Sequence, residues 1–223
     1  YRDDVENELE DNHLLGRSSA NPTYPSQLDR LCDWLVWQQT ALGNRPKFIV
    51  TSSVFVPNDI TTTKSDEHKN ASDCWEAFPT TRRRILDTIV KHQIQNVVFL
   101  SGDIHCACVA ELSFKGSAAA RRLRAFSITS SAFYWPFPFA DGAPGGYVHD
   151  SAKQDDSFVL TNKKITMDYK AYNFCQDDNF CQVDVDWDKR ELVVRAFGKD
   201  GQLLKIGDIP TNQSMETTLK LAE

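Results

Sequence analysis

The stretch "VVFLSGDIHCAC", residues 97–108, runs four apolar residues into Ser101-Gly102 and then sets Asp103 and His105 one residue apart. Val97, Val98, Phe99 and Leu100 have the length and character of a buried strand, and Ser-Gly ends it in a turn. A carboxylate and an imidazole leaving a strand together can converge on one cation, because a hard divalent or trivalent ion accepts both oxygen and nitrogen. Two protein ligands do not complete a catalytic metal site, which takes three or more. The plainer alternative is that Asp103 caps the turn and His105 is a satisfied core histidine. Spacing alone does not separate the two.

Upstream, "PSQLDRLCDWLVWQQTA" places Leu28, Leu31, Cys32, Leu35 and Val36 at helical spacing, with Trp34 and Trp37 flanking the stripe and Gly43 closing the helix. "KFIVTSSVFVP" then predicts a buried strand ending at Pro57, followed by a polar loop over 58–73. Pro79 opens a second helix, with Ile85, Leu86, Ile89 and Val90 inward and its arginines on the rim. Strand, helix and strand make one βαβ unit, which is parallel and right-handed in nearly all proteins. Ligands of such sheets sit beyond the carboxyl ends of the strands, where Ser52-Ser53 and Asp103-His105 lie.

The second half changes texture. "CACVAELSF", "RAFSITSSAF", "QVDVDW" and "ELVVRAF" predict strands, the last two joined at Asp188-Lys189-Arg190, with a short run at Leu203 to Ile206. Val183, Val185 and Trp187 alternate, as in an antiparallel meander. Between them "YWPFPFADGAPGG" predicts a loop that walls a pocket.

Composition bounds the function. With 223 residues, 41% hydrophobic and 25% charged, the chain has the make-up of an ordinary globular domain. A net charge of −6 gives no electrostatic case for nucleic acid or anionic lipid. Acidic residues crowd between Asp3 and Asp11, which reads as a solvated start. No window approaches eighteen consecutive apolar residues, so no transmembrane helix is expected. Cys32, Cys74, Cys106, Cys108, Cys175 and Cys181 form no C-x-x-C pair. Cys106 and Cys108 are expected to pack as small hydrophobes, while spacing leaves a Cys175–Cys181 bridge open. The triplets at Asn70 and Asn212 matter only in a secreted protein.

"FLSGDIHCACVAEL" resembles the carboxyl-terminal metal signature of the PhoD-like phosphatases, a branch of the calcineurin-like metallophosphoesterases. Other pieces resemble that family in the same order. Tyr1-Arg2 resembles the end of a "LDTRxYR" segment, and Gln27 with Trp34-Leu35 resembles a "Q-x-x-W-L" helix. Asp73, Trp75, Pro79 and Arg82 match "D-x-W-x-x-Y-P-x-x-R", with Phe78 where Tyr is usual, and "ITSSAFYWPFP" matches the strand and loop after GD-x-H. The family's upstream ligands, including a "W-D-D-H-[DE]" segment, have no counterpart here. After "KFIVTSS", where many metallophosphoesterases place a histidine, there are serines.

The resemblance implies an α/β fold, the carboxyl-terminal part of a four-layer α/β/β/α metallophosphoesterase sandwich with an antiparallel meander in its second half. Residues 1–223 are then a single unit, part of a larger domain cut upstream of Tyr1. The implied activity is metal-dependent hydrolysis of phosphate mono- or diesters, small or polymeric. Asp103 and His105 are the implied metal ligands, and Asp73, Trp75 and Arg82 the implied substrate-binding residues. Arg82 is a chemically sensible phosphate clamp, with a solvated helix-start arginine as its plain alternative. The resemblance implies divalent or trivalent metal ions, iron and calcium or manganese and zinc, with the remaining ligands from the upstream half of the protein. It leaves the compartment open, although the family is often exported. The alternative is a non-catalytic binding or assembly domain whose contact surface is the aromatic loop containing Phe133, Tyr134, Trp135, Phe137 and Phe139. A serine or cysteine hydrolase is disfavoured, since Ser101 and Cys106 flank His105 on opposite faces and no G-x-S-x-G elbow exists.

Overall fold

The computed structural model describes residues 25–58, 75–102, 104–131, 157–206 and 213–223. It is a mixed α/β structure in which two helices, a six-stranded sheet and a three-stranded sheet stack in that order. Helix α1 (Gln27–Leu42) starts at a capping box: Ser26 Oγ accepts from the Asp29 N–H, and the Asp29 carboxylate accepts from the Ser26 N–H. It ends at Gly43, whose φ of 62° is the left-handed conformation that glycine adopts without steric cost. Leu28, Cys32 and Leu35 are buried, Trp34 and Trp37 stay at the surface, and the predicted stripe is the one that packs.

Strand β1 (Lys47–Val50) pairs in parallel with β2 (Val97–Ser101) through helix α2 (Pro79–Lys91). The regular strand is shorter than predicted. Pairing with β2 ends at Val50 opposite Leu100, Thr51 Oγ1 turns back to the Ser53 carbonyl, and Val54, Phe55 and Val56 dive into the core instead of extending the sheet. β1 is an outer strand, and among the described elements nothing pairs with its other edge, where Val50 is 81% exposed. In α2, Ile85, Leu86 and Ile89 are inward as expected and Val90 is partly buried.

The second half departs from the expected meander. Strand β3 (Ala107–Lys115) leaves a place vacant beside β2, and β4 (Ala125–Thr129) fills it, parallel to β2 and antiparallel to β3. The strand "AFSIT" thus extends the parallel sheet, and all five of its residues are buried, as in a strand covered on both faces. Strands β5 (Phe158–Val159) and β6 (Thr166–Cys175) complete the order β1-β2-β4-β3-β6-β5. β6 carries a period-two signal, Met167, Tyr169 and Ala171 inward, interrupted in sequence by Asp168 and Lys170. Asp168 is paired at 2.6 Å with Lys115 of the neighbouring strand.

The true meander is β7 (Asn179–Asp186), β8 (Glu191–Gly198) and β9 (Glu216–Lys220), antiparallel throughout. Alternation sorts the large sheet. Val97, Phe99, Ala110, Leu112, Phe114 and Met167 face the helices, while Val98, Val109, Phe126 and Ile128 face Leu192, Val194 and Leu219 of the meander. Val183 and Trp187 follow the expected inward pattern, whereas Val185 is 46% exposed. No helix among the described residues is long and apolar enough to cross a membrane.

Two buried polar residues tie the amino ends of the parallel strands. Asn96, fully buried at φ 58°, accepts from the Ala222 N–H through Oδ1 and donates through Nδ2 to the carbonyls of Asn44 and Ala222. Its own backbone accepts from the Lys47 N–H and donates to the Arg124 carbonyl. One residue therefore joins the chain entering β1, β2 and β4 to the last strand's exit. Lys47, 2% exposed, donates through Nζ to Gln39 Oε1 and to the carbonyls of Gly43, Arg45 and Gln95.

Asn96→Ala removes three side-chain bonds and replaces a residue suited to a left-handed backbone, so unfolding in urea should show a loss of about 2–4 kcal/mol. Burial pushes the Lys47 amine down to about 8 in the folded chain. The unfolded chain holds that proton to higher pH, so between about 8 and the ordinary lysine value of 10.5 this group adds stability as pH rises. Lys47→Met should cost about 1–3 kcal/mol at pH 7 by leaving buried acceptors unmet. The stability gap between the native chain and this variant should widen from pH 8 to pH 10; a constant gap would contradict the assignment.

Candidate active site

The carboxyl ends of β1, β2 and β4 lie side by side, and the Thr51 N–H still reaches the Leu100 carbonyl while the Ser130 N–H reaches that of Ser101. The turn out of β2 lies at this edge. Of the two residues that open the question, His105 is described and Asp103 lies outside the described residues. His105 is half-buried, and its φ of 50° puts a non-glycine residue in the left-handed region. That conformation costs about 1–2 kcal/mol and persists only where surroundings impose it.

Those surroundings are identifiable. The His105 N–H donates to Ser131 Oγ at 3.0 Å, across 26 residues. Asn179, 2% exposed at the start of β7, donates through Nδ2 to the carbonyls of Ser131 and Asp177. Ser130 Oγ lies 3.2 Å from Asn179 Oδ1 and accepts from the Cys181 N–H. Ser101 Oγ and Thr129 Oγ1 are 3.2 Å apart, closing the row between β2 and β4. Gly102 sits so close that an added Cβ would come within 3.3 Å of the Ser130 carbonyl oxygen. Ser131 belongs to the quoted "ITSS" segment, but nothing local distinguishes it from other loop serines. Asn179 follows two aspartates in a polar turn, and only its tertiary burial marks it.

Trp75 and Arg82 are brought together elsewhere on the same edge, against Phe55. Trp75, in a single 3-10 turn over Trp75–Ala77, is 4% exposed; its ring lies 5.3 Å from Phe55, and its Nε1–H donates to Thr51 Oγ1 at 3.0 Å. Arg82 corrects the expectation of rim arginines: it is 1% exposed, so it is no solvated helix-start residue. Its guanidinium lies 5.5 Å from the Phe55 ring centroid and 4.9 Å from that of Phe158, and Nη1 donates to Asn58 Oδ1 at 2.8 Å. The Asn58 N–H in turn donates to the Tyr169 hydroxyl at 2.9 Å. Arg82 thus fastens the segment after β1 to α2, β5 and β6. Asp73 and the aromatic loop from Phe133 to Phe139 lie outside the described residues.

Four thiols gather behind the turn. Cys106 and Cys108 are buried as expected, with Cys175 opposite Ala107 on β6 and Cys181 Sγ 4.0 Å from the Thr129 carbonyl. All four are free, so the bridge left open between Cys175 and Cys181 is not formed. A hydrogen bond with Cys108, then burial, hold the Cys106 thiol well above its usual range, and burial pushes Cys181 up to about 11. Thiols kept protonated in this way are not poised as nucleophiles. Among the described residues no group of three or more His, Cys, Asp and Glu side chains is arranged to hold a metal ion.

Comparison with known proteins places the chain in a family. The family model of the PhoD-like phosphatases matches residues 25–195, which include Asp73, Trp75, Arg82, Asp103, His105, Ser131 and Asn179. A solved structure described as "Structure of PhoD" is similar over 85% of this chain, at 16% identity and a TM-score of 0.44; the chain spans 31% of that protein's length. No match was found among curated proteins. With more than half of its length matched in one continuous segment, the chain belongs to the PhoD-like phosphatase family.

Proposed function

We propose that this chain is the carboxyl-terminal part of a metal-dependent phosphate mono- or diesterase built as a four-layer α/β/β/α sandwich. The observation that carries the reading is His105, held in a left-handed backbone at the carboxyl mouth of three parallel strands, inside the segment that matches the family. A strained, externally clamped residue at the edge where open α/β sheets bind ligands is placed for a site. His105 supplies an imidazole nitrogen and Asp103 a carboxylate oxygen, a donor pair suited to a hard divalent or trivalent ion such as iron, calcium, manganese or zinc. Such an ion, when bound, polarises a phosphoryl oxygen and lowers the pKa of a bound water.

Two ligands are too few to retain the ion, so the remaining ones come from the upstream half of the same protein. Trp75 and Arg82 support the wall beside the phosphate ester from beneath, and Asp73 is the third residue assigned to substrate binding. Buried Trp75 and Arg82 fix the shape of that wall through Thr51 and Asn58. The cation–aromatic stack also keeps a positive charge beneath it, which favours an anionic ester above.

His105→Ala and Asp103→Asn, made in the protein that carries the upstream half, should each lower metal-dependent hydrolysis of p-nitrophenyl phosphate by about a hundredfold or more, with bound metal lost in parallel. Full activity in either variant would overturn the assignment, and so would robust metal-dependent turnover by the purified 223-residue chain alone. Arg82→Met should destabilise by on the order of 3 kcal/mol, measured by thermal or urea unfolding, because Asn58 loses its buried donor and the two rings lose their cation. A neutral effect would contradict the fastening role given to Arg82.

A further inference from the structure

We propose that Ser131 and Asn179 are positioning residues that set the aim of the His105 imidazole. The inference rests on His105 serving as a metal ligand. Three observations carry it. The His105 N–H donates to Ser131 Oγ at 3.0 Å, and this bond falls on a residue with a left-handed backbone. Ser131 is itself held by its carbonyl, which accepts from the amide of Asn179, and that amide is bound a second time by the Asp177 carbonyl at 2.8 Å. Asn179 is 2% exposed and is the first residue of β7, so it is anchored by the meander rather than by the large sheet.

The relay therefore runs from the meander through Asn179 and Ser131 to the backbone of the turn after β2. The bond fixes the peptide plane from which the His105 side chain departs, and so sets the base on which the imidazole is aimed before any ion arrives. Groups that orient a ligand from behind govern affinity nearly as strongly as the ligand itself. The arrangement also gives the meander a part in the site that its sequence does not announce.

The test separates a positioning role from a structural one by amide exchange and by metal affinity. In the full chain, Ser131→Ala should speed exchange of the His105 N–H about tenfold while β2 amides and the melting temperature stay unchanged. Ser131→Thr, which keeps the hydroxyl, should restore the slow rate. In the protein carrying the upstream half, Ser131→Ala should weaken Mn²⁺ binding, followed by electron paramagnetic resonance, by about 10–100-fold. Asn179→Asp, which loses both donated bonds, should do the same. Unchanged exchange in Ser131→Ala would overturn the clamp. Unchanged Mn²⁺ affinity in Ser131→Ala, alongside loss in His105→Ala, would overturn the positioning role alone. Retention of Mn²⁺ by His105→Ala would overturn the metal reading on which the inference stands.

Discussion

A strand buried on both faces can discharge its chain only at an edge of the sheet, and three parallel strands must all discharge at the same one. β2 and β4 are such strands, with Val97, Val98, Phe126 and Ile128 shielded by helices on one side and the meander on the other, and β1 runs parallel to β2 as the outer strand. Their polar turns are therefore forced into one neighbourhood although they are far apart in sequence. Ser52, His105 and Ser131 share an edge for no reason of their own chemistry. The chemistry follows from the confinement.

At the opposite edge the same confinement creates a different problem. The chain enters three parallel strands through backbone groups that no regular ladder satisfies, and a buried unpaired amide is costly. Asn96 and Lys47 meet that need with side-chain amides and an ammonium, not with further apolar packing. The amino edge is thus tied by side chains around a left-handed Asn96, while the carboxyl edge carries the turn at His105.

Much of this architecture was legible in residue pattern. The capping serine and closing glycine of α1, the inward face of α2 and the apolar run of β2 are local signals, and each appears where its period says it should. What escaped was non-local. That β4 slips between β2 and β3 depends on a vacancy left by another strand, which no window of residues records. Arg82 reads as a surface residue because arginines usually are, and its burial is supported by Phe55, Asn58 and Phe158, 76 residues onward, on separate segments. Histidine at 105 could be picked out as a candidate; that its backbone is left-handed, and that Ser131 and Asn179 hold it so, could not.

The thiol cluster behind the turn has a kinetic consequence. Disulfide exchange proceeds through the thiolate, and Cys106 and Cys181, shifted upward by burial and by a neighbouring thiol, stay in the unreactive form. While the sheets remain stacked, an oxidising medium finds little to attack. Separation of the meander from the large sheet would expose the buried ones, so the rate at which these sulfurs are trapped by an alkylating reagent becomes a clock for that separation.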